Sequence, residues 1–258
     1  DDPKRLEIEN NWHITDCLIG HDFTADQQDL LRQIFLGLHS EEYAQQVMAQ
    51  VEHDGGFEDC AVALFGQPGS GKFEVVLTGR HVTRRCDGDS VAGAAFGGPI
   101  FYGHAAEGFN EAPDHPGNVY WFQAQRANEL FQALDGRQRK IALLGDSRGE
   151  DGKNTVRLSG KSEGLPGIPV GELSADQREL AEKVMTDLLA PFREVDRAEC
   201  MKLIRKSGFD DLHFSYYKNE DVGDDGVWDV WQVEGPTTVW YFRGQPHVHT
   251  WVHIRDRA

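Results

Sequence analysis

The chain has 258 residues, 39% of them hydrophobic, which is enough for a sizeable core. Its formal net charge of −17 argues against nucleic acid and anionic membrane surfaces as partners, because both require a basic face. No stretch approaches the roughly 18–20 apolar residues of a membrane span. Because no long linker interrupts the chain, we predict one α+β domain over residues 23–258, preceded by an irregular arm over residues 1–22.

Helix starts carry a repeated signature, the capping box. Thr24 and Ser174 are each followed three residues later by Gln, and Asp135 begins a looser version of the same pattern. Gln at the third helical position can bond the backbone amide of the cap, so these positions favour helix initiation. Helices are thus predicted directly after these three caps, and further ones over about 41–51, 119–134 and 196–207.

Strands are predicted in two groups that lie far apart in the sequence. In the first, residues 60–65 and 73–85 form a hairpin, and residues 94–103 form a Gly-rich extended segment. In the second, the end of the chain has the pattern of four strands, 212–217, 227–233, 237–243 and 247–254. A long surface loop is predicted over 145–171, which is rich in Gly and Pro. The expected architecture is a mainly antiparallel sheet packed against several helices.

The turn of the predicted hairpin matches a nucleotide-binding P-loop only in part. Gly66, Gly71 and Lys72 have the required spacing, but Phe73 replaces the hydroxyl residue that binds Mg²⁺. A strand follows where a P-loop needs a helix whose N-terminus holds phosphate. We therefore interpret this segment as a turn and predict no ATP binding.

The four cysteines, Cys17, Cys60, Cys86 and Cys200, are widely spaced. Without a C-x-x-C pair, a zinc ribbon or a thioredoxin-type site is not expected. The even count is equally compatible with disulfides in an oxidising compartment and with buried free thiols. Because the sequence starts without Met, we expect the mature chain of a secreted or periplasmic protein, with a cytoplasmic location as the alternative.

The last predicted strand is the best candidate for chemistry. Side chains alternate along a strand, so His247, His249 and His253 share one face with Trp251. Imidazole is the commonest metal ligand, and the i, i+2 spacing of His247 and His249 aims both rings at one point. A cupin-type site would also need a Glu a few residues later, and none is present. The alternative is a pair of polar residues covered by Trp251. The opposite face carries the predicted core residues Val248, Thr250, Val252 and Ile254.

Three further histidines lie outside this strand and are compared as candidate ligands. His81 continues the mostly apolar face of Leu77 and Gly79, so it is expected to point inward, where a hydrogen-bonded core histidine is the usual case. His104 ends the Gly-rich segment, at an edge that suits either a site or an ordinary surface position. His115 is interpreted as a plain loop residue.

Four groups of short motifs follow one another along the chain. They are Phe65-Gly66-x-Pro68 with Gly79-Arg80-His81-Val82-Thr83, Pro99-Ile100-Phe101-Tyr102-Gly103, Gln138-Arg139-x-x-Ala142, and Gly235-Pro236 with His247-Val248-His249-Thr250 and Arg255-Asp256. In this order they resemble the blocks "FG-x-P … GHHLS", "P-x-F-[FY]-G", "QR-x-x-A" and "GP … H-[IV]-H-[ST] … RD" of the domain-of-unknown-function family 3500.

This chain departs from the family pattern at Arg80, where the family has a first His, and at Arg85, where an Asn often follows. The resemblance implies that His81, His247 and His249 belong to the shared motif set. It implies no reaction.

The sequence therefore favours a metal-dependent enzyme. We predict that His81, His247 and His249 bind one ion, with His104 as a candidate fourth ligand. All-nitrogen ligation suits copper, iron or zinc, and the absence of a carboxylate in the pattern favours copper or iron and a redox reaction. A separation above about 10 Å between His81 and His247 would rule out a shared ion, because the metal–nitrogen bonds are only about 2 Å long.

The expected partner is a small-molecule substrate. Arg80, Arg84, Arg85 and Arg243 are candidates to orient an anionic group, and Trp251 to contact the substrate; ordinary ion pairing is the alternative for the arginines. Two other functions are weighed. One is a non-catalytic module that binds a small ligand or glycan on Trp228, Trp231, Trp240 and Trp251. The other is metal-assisted hydrolysis with Glu234 as a base.

Overall fold

The computed structural model describes residues 2–88, 90–104, 118–218 and 226–258. His115 lies outside the described residues. The helices, numbered α1 to α8, are Ile19–Asp22, Ala25–Gly37, Ala44–His53, Phe122–Ala133, Gly136–Ala142, Gly152–Thr155, Ala175–Leu188 and Glu194–Ser207. The strands, numbered β1 to β10, are Ala61–Gln67, Lys72–Gly79, Val82–Asp87, Ile100–Gly103, Leu143–Leu144, Ile168–Pro169, His213–Tyr217, Val230–Gly235, Thr238–Arg243 and His249–Ile254.

All ten described strands belong to one sheet, which joins the two predicted groups. Its order is β1-β2-β3-β4-β10-β9-β8-β7-β5, and β6 pairs with β7. Every pairing is antiparallel except that of β5 with β7. The junction is β4 against β10, where Phe101 lies opposite Trp251. The α+β class and the mainly antiparallel sheet are thereby confirmed.

The predicted capping boxes are present at the starts of α2, α5 and α7. In each, the cap side chain accepts a hydrogen bond from the backbone of the third helical residue, and the Gln of that residue bonds the cap amide in return. Gln138 also donates from Nε2 to Gln177 Oε1 at 2.9 Å. Two of the boxes thus fix α5 and α7 to one another as well as starting them.

Both faces of the sheet are covered. The larger core lies between the sheet and the helices and contains Val248, Val252 and Ile254, as predicted for that face. A second, smaller core lies on the opposite face, because its strand residues alternate with those of the first. Its buried members are Ile8, Phe101, Val156, Tyr217, Val230, Val239, Tyr241 and Trp251. Ile8 comes from the N-terminal segment and Val156 from the 145–171 segment, so both segments fold over this face.

The continuous strand predicted over 73–85 is wrong in one respect. β2 ends at Gly79 and β3 begins at Val82, so Arg80 and His81 form a two-residue turn. His81 has a φ of 52°, a left-handed conformation that few non-glycine residues adopt. Its amide donates to Asn10 O at 2.9 Å and its carbonyl accepts from Gly103 N at 3.1 Å. The turn escaped prediction because it lacks the Asn-Gly or Asp-Gly pair typical of such hairpins.

The N-terminal segment is held on the sheet by hydrogen bonds from Arg85, which belongs to a buried ion pair between two strands. Glu74 on β2 and Arg85 on β3 have fully buried side chains, with 3.1 Å between Oε1 and Nη1. Arg85 also donates to Glu7 O at 2.7 Å, to Arg5 O and to Pro99 O at 2.7 Å. Together with Glu74, these carbonyls accept the hydrogen bonds of the Arg85 guanidinium. None of these contacts supports the substrate-binding role predicted for Arg85.

Two further features are the state of the cysteines and the length of the helices. All four cysteines are free thiols, so none forms a disulfide. In the part of the chain that the structure describes, no helix combines the length and the apolar character needed to cross a membrane.

Candidate metal centre

Three elements bring His81, His247 and His249 together. His81 lies in the turn between β2 and β3, His249 is the first residue of β10, and His247 precedes it by two residues. Gly103 on β4 pairs with His249 and bonds the His81 carbonyl, so it lies between the two. A Cβ on Gly103 would meet Val248 O at 2.0 Å, so only glycine permits this approach.

The three imidazoles converge through their Nε2 atoms. Nε2 of His247 lies 3.2 Å from Nε2 of His81 and 3.0 Å from Nε2 of His249. The ring centroids are separated by 4.7–4.9 Å in all three pairs. His81 and His249 are buried and His247 is partly buried. Among the described residues these three histidines form one group whose ligand atoms lie within 4.8 Å of one another, and the group could hold a metal ion. The predicted proximity of His81 and His247 is thereby met.

Two carboxylates orient the rings. Nδ1 of His81 bonds Asp54 Oδ2, and Nδ1 of His249 bonds Glu150 Oε2 at 2.7 Å. A carboxylate accepts, so each contact assigns the proton to Nδ1 and leaves a lone pair on Nε2. His247 Nε2 can carry only one proton, so it cannot donate a hydrogen bond to both His81 and His249. A cation between the rings would accept all three facing lone pairs. Imidazoles bonded to carboxylates in this way are typical of metal ligands.

Each of these carboxylates is paired in turn with an arginine. Asp54 Oδ1 lies 3.3 Å from Arg80 Nε, and Glu150 Oε1 lies 2.7 Å from Arg243 Nε. The Asp54 carboxylate is 1% exposed and that of Glu150 is 18% exposed. Burial raises the pKa of Glu150, but the hydrogen bond from His249 and the charge of Arg243 outweigh it and hold that pKa below its ordinary value.

The electrostatics keep two of the imidazoles neutral. Burial, followed by the charges of His249 and His81, lowers the pKa of His247 to about 3. Burial also lowers the pKa of His249 to about 4, against the opposing effect of Glu150. Both rings are therefore unprotonated at neutral pH, which is the state that a metal ion binds.

The distances suit a first-row transition metal. Nε2 atoms 3.0 and 3.2 Å apart would both lie within the bonding distance, about 2.0–2.1 Å, of a single ion held between them. Three imidazoles arranged in this way leave at least one coordination position for water or substrate.

Two other predicted ligands lie apart from this group. His104 is buried at the end of β4, and its amide donates to Val248 O at 3.1 Å, but its ring is outside the group of three. His253 bonds Val156 O through Nδ1 at 3.0 Å, on the same face of β10 as His249. The ligand role of His104 stays a prediction, and His253 serves as a structural residue.

The residues predicted to bind substrate lie at different distances from the centre. Arg80 and Arg243 contact the two carboxylates that orient the ligands, whereas Arg84 is buried against His39, Tyr120 and the Phe101 carbonyl. Trp251 is 1% exposed and its ring centroid lies 4.5 Å from that of Phe101. Substrate contact by Arg80 and Arg243 is thus compatible with the site, while Trp251 belongs to the second core.

Most of the residues behind the alternative functions lie in the interior, whereas Trp228 is partly exposed. Trp231, Trp240 and Trp251 are at most 1% exposed, so they offer no flat surface to a ligand. Glu234 forms an ion pair with Arg148 and accepts from Gln232 at 3.1 Å. Within the described part of the chain, its carboxylate bonds Arg148 and Gln232 rather than the three histidines.

Sequence reasoning missed both orienting carboxylates. Asp54 is the C-terminal cap of α3, and Glu150 lies in the 145–171 segment interpreted as a surface loop. The only local signals are an acid before Gly55-Gly56 and an acid in a Gly-rich run. With 43 acidic residues in the chain, neither signal singles out a site.

Substitution of either carboxylate is expected to weaken metal binding without removing it. In Asp54→Asn and Glu150→Gln the imidazole loses a charged partner that fixes its tautomer, so we expect metal affinity to fall about 10- to 100-fold. Competition with a chelator of known affinity measures this. Glu234→Gln, which alters a carboxylate remote from the histidines, is the matched control. An unchanged affinity in both variants would contradict the orienting role.

Comparison with known proteins adds a family. The family model described as "Protein of unknown function (DUF3500)" matches residues 2–257, which confirms the resemblance inferred from the order of the motifs. No curated protein and no solved structure matches the chain.

Proposed function

Because the chain belongs to DUF3500, a family whose description assigns no activity, we propose from the geometry that it is a metal-dependent enzyme. His81, His247 and His249 bind one transition-metal ion, and the open position takes a small-molecule substrate. The observation that carries the proposal is the convergence of three Nε2 atoms, with two of the three rings, His81 and His249, held by buried or partly buried carboxylates.

Oxidoreductase chemistry with copper or iron is the reaction class we favour. The group of candidate ligands contains imidazoles and no carboxylate in the described part of the chain. Neutral nitrogen donors suit the lower oxidation states of both metals and leave the ion accessible for electron transfer. The residues of this chain fix the rings, keep them unprotonated and limit the approach of water through the buried face.

Metal-assisted hydrolysis is the second candidate. Three imidazoles with carboxylates on their outer nitrogens are also the ligand set of catalytic zinc centres, in which the ion activates a water molecule. This alternative requires no redox metal.

A secreted or periplasmic location also stays a proposal, which cell fractionation tests. The four free cysteines give it no support.

Reconstitution distinguishes the two reaction classes. The protein is stripped with a chelator, loaded separately with Cu²⁺, Fe²⁺ or Zn²⁺, and screened against oxidase, oxygenase and esterase or phosphatase substrates. We expect turnover with copper or iron and none with zinc. Turnover restored by zinc alone would transfer the proposal to hydrolysis, and stoichiometric metal without any turnover would favour a binding module.

A further inference from the structure

The charges around the metal centre are unbalanced. Asp54 is paired with Arg80 and Glu150 with Arg243, so each orienting carboxylate is already neutralised by its own arginine. The three imidazole ligands are neutral when they bind a metal. Among the described residues, the two positive charges of a divalent ion therefore lack a counter-charge in this cluster.

Arg243 carries an unused donor at the same place. Its Nη2 is buried and has no hydrogen-bond acceptor in the described part of the chain, although the Nε of the same group contacts Glu150. A buried N–H group without an acceptor is destabilising, so a site normally provides one.

The position of Arg243 relates this donor to the histidines. Arg243 ends β9 and pairs directly with His249 across the sheet, so both side chains lie on the same face. Its Nε lies 2.7 Å from Oε1 of Glu150, and Oε2 of the same carboxylate lies 2.7 Å from Nδ1 of His249, so one carboxylate joins the guanidinium to the His249 ring. Arg80, by comparison, is 52% exposed and faces water.

A carboxylate meets both requirements with its two oxygens. One oxygen occupies an open position on the ion and the other accepts from Arg243 Nη2, and the negative charge offsets part of the charge of the metal. Phosphate fits less well, because its third free oxygen would need a further donor beside Nη2 of Arg243.

We propose that the substrate is a small molecule with a carboxylate group, which bridges the metal ion and Arg243. The inference rests on the proposed metal centre. Arg243 is thus a binding residue for the substrate as well as the partner of Glu150.

The test uses the full chain loaded with Co²⁺, whose visible spectrum responds to a new ligand, and acetate as the probe. We expect acetate to change the spectrum, and Arg243→Gln to weaken acetate binding at least tenfold at full Co²⁺ occupancy. Imidazole, a neutral ligand for the same position, should bind both proteins within about twofold. Arg80→Gln, which removes the arginine of the other ion pair, should weaken acetate less than threefold.

The outcomes separate this inference from the proposed function. If the native chain does not take up one equivalent of Co²⁺, the metal centre itself is wrong and the carboxylate bridge falls with it. If Co²⁺ binds but acetate binds Arg243→Gln as well as the native protein, only the bridge is overturned. Equal losses in Arg80→Gln and Arg243→Gln would indicate a general field effect, and phosphate binding tenfold tighter than acetate would overturn the carboxylate class.

Discussion

Replacing His249 with alanine is expected to reduce metal affinity about 100- to 1,000-fold. Zinc bound by four protein ligands gains about 10–16 kcal/mol, so one ligand contributes roughly 3–4 kcal/mol. His249 is also the ligand that Glu150 orients, so its removal takes away one of the two carboxylate-held rings. Equilibrium dialysis against buffered metal, followed by elemental analysis, measures the loss.

The variant should still fold. Glu150 keeps its ion pair with Arg243 when the imidazole is removed, so no buried charge is left without a partner. His253→Ala is the matched control, because His253 lies on the same face of the same strand and bonds a backbone carbonyl instead of the group. We expect that control to retain native metal content. A His249→Ala protein that binds metal within threefold of the native affinity would contradict the ligand assignment.

Replacing Arg85 with alanine is expected to lower the free energy of unfolding by about 3–5 kcal/mol. The change removes the buried partner of the Glu74 carboxylate, which then keeps its contact with Arg5 at 2.7 Å, a side chain that is 19% exposed. Loss of a partner from a buried ion pair costs more than the pair itself contributes. The change also removes donors to the carbonyls of Glu7 and Pro99, which hold the N-terminal segment and the start of β4 against β3. A domain is stable by only about 5–15 kcal/mol, so the loss is large.

Urea unfolding followed by tryptophan fluorescence measures this effect. Arg193→Ala is the control, because Arg193 forms an exposed ion pair with Asp196 in which the Arg193 side chain is 43% exposed. Such a pair contributes about 0–1 kcal/mol. If Arg85→Ala changes the free energy of unfolding by less than 1 kcal/mol, the N-terminal segment is held by other contacts.

Local patterns predicted the six longer helices and the shared face of the His-x-His pair, whereas the short helices α1 and α6 lie in segments predicted as an irregular arm and a surface loop. Capping boxes and strand alternation depend on neighbours in the sequence, and they located the starts of α2, α5 and α7 and the core face of β10. The position of His81 depends instead on a turn that pairs β2 with β3 and on the contact of its carbonyl with Gly103. The grouping of His81 with His247 and His249 was predicted from the family resemblance. Strand alternation could not predict it, because alternation assumes an unbroken strand.

The rest of the site depends on contacts between distant segments. Asp54 reaches His81 from the end of α3. Glu150 reaches His249 from a position 99 residues earlier in the chain. No spacing rule relates such residues. The role expected for Trp251 also depended on an open sheet face, but Ile8 and Val156 cover that face and bury the indole.

X-ray absorption at the zinc edge of protein loaded with one equivalent of Zn²⁺ tests the metal centre most directly. The structure predicts three imidazole nitrogens at about 2.0–2.1 Å, with the multiple scattering of the rings, plus one or more light atoms from solvent. The His249→Ala protein should lose one imidazole. A shell with sulfur, or with one imidazole or none in the native protein, would contradict a centre built from His81, His247 and His249.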